Sequence, residues 1–372
     1  MHVELFEMER YQSIWENIVD YNLSESGVYP FSLKEFLSSA QLNELLEVPL
    51  GYNQTNGSEA LRSAICSLYD NCQAKNVLVT TGSAEANFLT IWRLVERGDS
   101  IALMLPNYMQ IWGIARAFGA EVKPFHLVPF KNRWQIDWDE LEKSLATKTK
   151  LIAICNPNNP TGAQLNEQEI SRLCQLAQKK NAWILADEVY RSAERLGELT
   201  ASFWGKYDKA IVTCGLSKAY GLSGLRLGWV LAPEKLIEEL WGYHDYTTIC
   251  LNPISDRLAW VALQPAMKKK IKQRTRSIIQ TNYQLLLEWM KKHDGLFEHI
   301  PPAAGAITMV KHYLPLESSL LVEKLRVKKS VLIVPGEQFK MKRYLRIGFG
   351  CPAKQLDQAL QRVSEFIQEM DS

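Results

Sequence analysis

Two cations lie eight positions apart in the segment SKAYGLSGLRLGW, among small and apolar neighbours: Lys218 and Arg226. A lysine that forms an imine needs an amine that is neutral part of the time, and burial near a cation such as Arg226 favours the neutral form. An arginine that stays charged can hold a dianionic phosphate with its planar guanidinium. The segment therefore predicts an imine-forming lysine beside a phosphate-binding arginine.

A possible anion site precedes this segment in TGSAEANF. Gly82, Ser83 and Ala84 stand where a strand is predicted to turn into a helix. The free backbone N–H groups and the positive end of such a helix favour a phosphate. A serine N-cap after a glycine turn would explain the fragment equally well, so its interpretation depends on the other motifs.

Asp187, in ADEVY, follows the apolar run WILA and is predicted at the carboxyl end of a buried strand. Ligand sites of open α/β sheets lie there. At about 3 Å and an effective dielectric near 20, its attraction to a protonated ring nitrogen is on the order of 5 kcal/mol before desolvation. The alternative is a strand-end aspartate that caps a turn.

Asn159, in NPNNPTG, also follows an apolar run. Two X-Pro steps hold this loop extended and restrict the asparagine amide. A rigid amide suits a ring oxygen, although so short a string can also be a simple turn.

Short apolar runs alternate with amphipathic segments between about residues 76 and 231. The runs at 76–80, 101–104, 151–155, 183–186, 210–214 and 227–231 predict buried strands. Alternating strands and helices predict an α/β fold with a mostly parallel central sheet covered by helices. We predict a large domain over 46–245 and a smaller α+β domain built from both termini, 1–45 and 246–372.

The composition is that of an ordinary globular protein. The 372 residues are 47% hydrophobic, and 43 basic and 41 acidic residues give a net charge of +2. This nearly equal number of basic and acidic residues predicts a small-molecule partner rather than nucleic acid or a membrane. Seven cysteines and six histidines without metal-like spacing predict reduced thiols and no metal site. The acidic start, MHVELFEMER, predicts no leader and a cytoplasmic protein.

Taken together, these motifs resemble those of class I and II aminotransferases, pyridoxal-phosphate enzymes of fold type I. The similarity runs from about Leu23 to Gly348. It implies transamination between an amino acid and a keto acid by a ping-pong mechanism, in a homodimer with shared active sites.

The resemblance also implies a role for each matched residue. Lys218 would form the aldimine with pyridoxal phosphate and move the substrate Cα proton, and Asp187 would pair with the pyridine nitrogen. Asn159 and Tyr190 would bond the phenolic oxygen. The other implied contacts are stacking by Tyr108, phosphate binding by Gly82, Ser83, Ala84, Ser217, Arg226 and, across subunits, Tyr52, and substrate binding by Arg346, Asn159 and Gly27.

Two departures from the family pattern concern the phosphate site and the substrate pocket. Gly215 stands where a serine or threonine usually contacts the phosphate. Ala306 and Ile307, in PPAAGAIT, replace aromatic residues, which predicts a differently lined pocket for the substrate side chain.

Two other functions stay open. The segments SESGVYP and DEVYR are similar to those of capreomycidine synthase, so elimination, replacement or cyclisation on a hydroxylated arginine or similar amino acid is the main alternative. A regulatory protein with an inactive aminotransferase domain is the second. Lys218, Asp187 and Arg346 argue against it, as does the lack of room for a DNA-binding module before Leu23.

Overall fold

The computed structural model describes residues 2–146 and 148–371, which leaves Met1, Thr147 and Ser372 outside the described residues. Its strands are β1 (Tyr21–Asn22), β2 (Val77–Thr80), β3 (Ser100–Leu105), β4 (Glu121–Phe130), β5 (Arg133–Ile136), β6 (Thr149–Cys155), β7 (Trp183–Asp187), β8 (Ala210–Gly215), β9 (Gly228–Leu231), β10 (Phe297–His299), β11 (Ile307–His312), β12 (Val331–Leu332), β13 (Val334–Pro335) and β14 (Tyr344–Gly348).

The helices alternate with the strands in the central part of the chain and dominate its ends. They are α1 (Glu7–Trp15), α2 (Leu33–Phe36), α3 (Ser39–Leu46), α4 (Glu59–Cys66), α5 (Gly82–Leu94), α6 (Gln110–Ala117), α7 (Trp138–Ser144), α8 (Glu167–Lys180), α9 (Glu234–His244), α10 (Pro253–Leu263), α11 (Pro265–Lys292), α12 (Ser318–Lys329) and α13 (Ala353–Asp371).

The described strands β2 to β9 form one sheet in the order β2-β9-β8-β7-β6-β3-β4-β5. The strands from β4 through β3, β6 and β7 to β8 are parallel, whereas β9 is antiparallel to β8 and β2, and β5 to β4. The predicted α/β fold with a mostly parallel central sheet is therefore confirmed.

Strands β2, β3 and β6 to β9 are buried on both faces of this sheet, which explains their largely apolar sequences. The strands β4 and β5 at its edge include polar and exposed residues. On β3, Ile101 and Leu103 pack into one core cluster, while Ala102 and Met104 pack into another on the opposite face. The six apolar runs of the sequence correspond to β2, β3, β6, β7, β8 and β9. The helix after β6, α8, begins with a capping box between Asn166 and Glu169.

A smaller antiparallel sheet, in the order β10-β11-β14-β13, lies in the carboxyl-terminal part of the chain. The amino-terminal strand β1 pairs in parallel with β12. This pairing joins the first residues of the chain to its last part, as expected if both termini build one unit. The boundaries at 45/46 and 245/246 stay a prediction.

The described helices include none that combines the length and the apolar content required to cross a bilayer. Within the described residues there is also no group of three or more histidine, cysteine, aspartate and glutamate side chains that could hold a metal ion.

Candidate active site

A cavity of about 290 Å³ opens where β6, β7 and β8 end at their carboxyl termini. In parallel sheets this edge is the usual place for ligands. The structure brings most of the predicted site residues together here. The cavity is lined by Ser83, Ala84, Tyr108, Asn159, Asp187, Tyr190, Ser217, Lys218, Arg226 and Arg346, among others.

Three predicted residues do not line the cavity. Gly82 and Gly27 lie directly behind it: a Cβ on Gly82 would be 2.6 Å from the Arg226 guanidinium, and one on Gly27 would be 3.3 Å from Cδ of Lys218. Tyr52 lies outside it, with 87% of its surface exposed. Its predicted reach to a neighbouring subunit stays a prediction.

Asp187 ends β7 and is buried. Its Oδ2 accepts a hydrogen bond from Asn87 Nδ2 at 3.0 Å, and its Oδ1 accepts one from the backbone N–H of Val189 at 3.1 Å. Burial raises the pKa of Asp187, although these two hydrogen bonds and the attraction of Lys218 act to lower it. A buried carboxylate of this kind needs a cationic ligand, such as a protonated ring nitrogen.

Asn87 is a site residue that our sequence analysis missed, although it lies inside the quoted motif TGSAEANF. It is buried on α5, and its Oδ1 accepts a hydrogen bond from Thr213 Oγ1 at 2.7 Å. That bond fixes the amide so that its nitrogen faces Asp187. Asn87 lies one helical turn after Ser83 on the same face of the helix, and this spacing was the signal that could have identified it.

Lys218 forms an ion pair that the sequence did not predict. Its Nζ donates to Glu25 Oε1 at 2.8 Å. Burial, the largest single influence, lowers the pKa of Lys218, but the pairing with Glu25 and the nearby Tyr190 together outweigh it and leave the pKa above its ordinary value. The expectation that Arg226 keeps this amine partly neutral is therefore wrong in this structure, because the amine is paired with a carboxylate.

The Glu25 carboxylate responds to the same pairing. Burial alone would raise its pKa, whereas Lys218 and the backbone N–H groups of Gly27 and Ser26 bring the pKa down to about 2. Both backbone bonds measure 2.8–2.9 Å. Glu25 is thus ionised and held in place beside the amino group of Lys218.

The residues predicted to bind phosphate surround the amino terminus of α5. Helix α5 begins at Gly82, so its first N–H groups lack intrahelical partners. Arg226 lies against this end and donates from Nη1 to the Ser223 carbonyl at 3.1 Å and weakly to Ser217 Oγ at 3.5 Å. A helix terminus, a guanidinium and a hydroxyl form a suitable donor set for a dianion.

Close backbone packing explains the glycine at position 215. Gly215 on β8 is opposite Gly228 on β9, and a Cβ on Gly215 would lie 2.8 Å from the Leu227 carbonyl oxygen. A serine or threonine cannot enter here unless β9 moves. The hydroxyl of Ser217 lines the cavity instead.

Gly228→Ala is expected to damage both stability and the phosphate site. A Cβ there would collide with the backbone of Gly82 and Ser83, the first two residues of α5. Overpacking of this kind costs about 1–3 kcal/mol. We expect a lower melting temperature and weaker pyridoxal phosphate binding, measured by thermal denaturation and absorbance titration. Gly224→Ala is the matched control, since nothing lies within 4 Å of its Cβ. Equal stability of the two variants would contradict this packing argument.

The two residues predicted to bond the phenolic oxygen, Asn159 and Tyr190, both line the cavity. Tyr190 is buried, and burial is the main reason that its pKa rises to about 12. Asn159 accepts a hydrogen bond from Arg346 Nη1 at 3.1 Å. Tyr108 also lines the cavity, and its hydroxyl donates to Glu9 Oε1 at 2.8 Å.

Arg346 is buried to 1% exposure on β14, and no carboxylate in the described residues pairs with it. Besides Asn159, it donates from Nη2 to the Ser24 carbonyl at 2.6 Å, while its Nε has no hydrogen-bond partner among the described residues. Burial lowers the pKa of Arg346. A buried guanidinium with a free donor is suited to a ligand carboxylate.

The residues present fit pyridoxal phosphate. Arg226 and the start of α5 can hold the phosphate, Asp187 the ring nitrogen, and Lys218 can react with the aldehyde. The backbone space that a Cβ on Gly228 would fill lies at the same helix end. Ala306 and Ile307 are buried but do not contribute to the lining, so the predicted effect of these two residues on the pocket stays a prediction.

The chain matches a family model described as aminotransferase class I and II over residues 25–363. It is 31% identical to capreomycidine synthase of Streptomyces vinaceus over 92% of this chain and 89% of that protein.

Two solved structures have the same fold over nearly the whole chain. A PLP-dependent aminotransferase from Streptococcus suis is 31% identical, with a TM-score of 0.93 and complete coverage of both chains. The PLP-dependent cyclase OrfR is 26% identical, with a TM-score of 0.90 over 100% of this chain and 98% of that one. The resemblance seen in the sequence is confirmed, and the chain belongs to the class I and II aminotransferase family.

Proposed function

We propose that this protein is a pyridoxal-phosphate-dependent transaminase that moves an amino group from an α-amino acid to a keto acid. The observation that carries the proposal is the convergence of Lys218, Asp187 and Arg346 on one cavity. When bound, pyridoxal phosphate supplies an aldehyde carbon and a ring that withdraws electrons from the substrate Cα.

The chain's own residues would divide the remaining work. Arg346 binds the α-carboxylate and so fixes the direction of the Cα–H bond. Lys218, once free of its ion pair with Glu25, takes the proton from Cα and returns it to another carbon. Asp187 holds the positive charge on the ring nitrogen, and Asn87 keeps this carboxylate in place at 3.0 Å.

Helix α1 covers the cavity and would limit the access of water. Met8 and Gln12 are buried on the face of α1 that lines the cavity. Gln12 is anchored by two hydrogen bonds from Nε2 to Ser24, at 2.9 and 3.0 Å. Exclusion of water protects a carbanion-like state and strengthens the charge interactions around it.

A second candidate, elimination or ring closure, is favoured by the similarity to capreomycidine synthase and to the cyclase OrfR. Both reactions begin with the same proton abstraction by Lys218. They differ from transamination in what leaves the substrate, and the residues described above serve either outcome.

The reaction type is tested by incubating the holoprotein with a panel of amino acids, with and without a keto acid acceptor. Mass spectrometry would follow keto acids and cyclised products, and a coupled assay would follow ammonia. Formation of keto acid that requires the acceptor supports transamination. Ammonia released together with a keto acid in the absence of the acceptor, or a ring product without keto acid, would replace it with the second candidate.

Arg346→Ala is expected to raise the KM for amino acids by about 30-fold or more, because truncating one partner of a buried charge pair costs about 2 kcal/mol or more. Amines without an α-carboxylate should be affected much less. The matched control is Arg172→Ala, at a surface ion pair with Glu142 in which Arg172 is 46% exposed. An unchanged KM in steady-state kinetics would remove Arg346 from the carboxylate site.

A further inference from the structure

Three glutamates of the amino-terminal segment line the candidate active site: Glu9 on α1, Glu16 directly after it, and Glu25 after β1. Positions 8, 9, 12 and 16 share one face of a helical path, which explains why Met8, Gln12 and two of the glutamates point the same way. The segment therefore presents an acidic wall to the cavity.

These carboxylates are close enough to interact with one another. The pKa of Glu16 is raised by burial first, and then by the negative charges of Glu25 and Glu9. Mutual repulsion of this kind is relieved when a cation binds between the carboxylates.

If the proposed function holds, each cation of the cavity is already used to bind the coenzyme or the substrate α-carboxylate. Arg226 would bind the phosphate, Arg346 the α-carboxylate, and Lys218 would lose its ammonium charge on bonding to the coenzyme. Asp187 would be neutralised by the ring nitrogen. The three glutamates would then face the substrate without a cationic partner, although Glu9 keeps its bond from the Tyr108 hydroxyl.

One of the three already shows how it would hold a cation. The Lys218 ammonium lies 2.8 Å from Glu25 Oε1, and 47% of the Glu25 side chain is exposed. A substrate ammonium or guanidinium could take over this carboxylate when Lys218 turns to the coenzyme.

The carboxylate site for the substrate lies next to the acidic wall. Gln12 Oε1 accepts a long hydrogen bond from Arg346 Nη2 at 3.4 Å, and the buried Nε of Arg346 has no partner among the described residues. An amino acid bound there by its α-carboxylate has α1 and its glutamates beside it.

We infer that the preferred substrate is an α-amino acid with a cationic side chain, an ammonium or a guanidinium, bound by Glu9, Glu16 and Glu25. This inference rests on the proposed function, since the site of the α-carboxylate defines where the side chain goes. An acidic side chain would meet three like charges instead.

The test is an absorbance titration of the holoprotein with L-arginine, L-ornithine and L-lysine, and with the neutral analogues L-citrulline and L-norleucine. We expect dissociation constants at least tenfold lower for the cationic amino acids, and the order of arginine and ornithine distinguishes guanidinium from ammonium. Glu16→Gln should weaken the cationic ligands about tenfold and leave norleucine unchanged. Glu7→Gln, on α1 but outside the cavity lining, is the control.

The possible failures can be told apart. Equal binding of arginine and citrulline, or an equal effect of Glu16→Gln on arginine and norleucine, overturns the inference and leaves the proposed function intact. If no amino acid changes the spectrum and none yields a product, the proposed function fails and the inference with it. A thermal melt of each variant shows whether the protein is folded.

Discussion

Lys218→Ala is expected to lower kcat by at least about 10⁴-fold, since it removes both the covalent attachment of the coenzyme and the group that moves the Cα proton. General acid–base catalysis alone contributes about 10²–10⁴-fold. The cavity shows no substitute: among the cavity-lining residues that the structure describes, Lys218 is the one lysine. The measurement is single-turnover kinetics with an amino acid substrate, followed by absorbance.

Two control variants sharpen this test. Lys206→Ala removes a lysine whose side chain is 48% exposed, so it should keep wild-type rates. Added methylamine should restore part of the lost rate in Lys218→Ala, because a small amine fits the vacated space and can carry the proton. A Lys218→Ala protein within tenfold of wild type would show that the proton moves through another group.

Asp187→Ala is expected to lower kcat by about 10²–10⁴-fold while some coenzyme stays bound. The ion pair to the ring nitrogen, on the order of 5 kcal/mol before desolvation, would be lost. Each 1.36 kcal/mol corresponds to a tenfold change in rate, so the loss of even half of the ion-pair energy would be a large effect. The residues predicted to bind the coenzyme phosphate are unchanged in this variant. Coenzyme binding should therefore fall less than turnover.

The readouts for Asp187 are the absorbance spectrum and steady-state kinetics. Asp187→Glu, which keeps the charge but shifts it, should recover part of the rate, and Asp208→Ala, at an exposed aspartate, should have no effect. Near-normal turnover of Asp187→Ala would exclude its role at the ring nitrogen.

Six of the eight strands of the large sheet could be predicted because their physics is local, whereas the partly exposed strands β4 and β5 lack this signal. A strand buried on both faces must be apolar along its whole length, and the six runs had that character. The antiparallel direction of β9 could not be predicted in the same way. Its sequence, GWVL, has the same pattern as that of its neighbours, and only the short connection after β8 limits its direction.

The candidate site was predicted as far as its residues lie in short motifs. Asp187, Lys218 and Arg226 follow strands or turns whose ends meet at one edge of the sheet. The acidic wall was not predicted, because Glu9 and Glu16 are ordinary charged residues of an amphipathic helix, and only tertiary packing places α1 over the cavity. The ion pair between Glu25 and Lys218 spans 193 positions of sequence and leaves no local signal.

The most direct measurement is to reduce the wild-type holoprotein with borohydride, digest it and locate the pyridoxyl group by mass spectrometry. The account predicts that the modification lies on the peptide containing Lys218, and that prior addition of a cationic amino acid diminishes it by releasing the lysine. A modification on another lysine, or a reduced protein without any bound pyridoxyl group, would contradict the account.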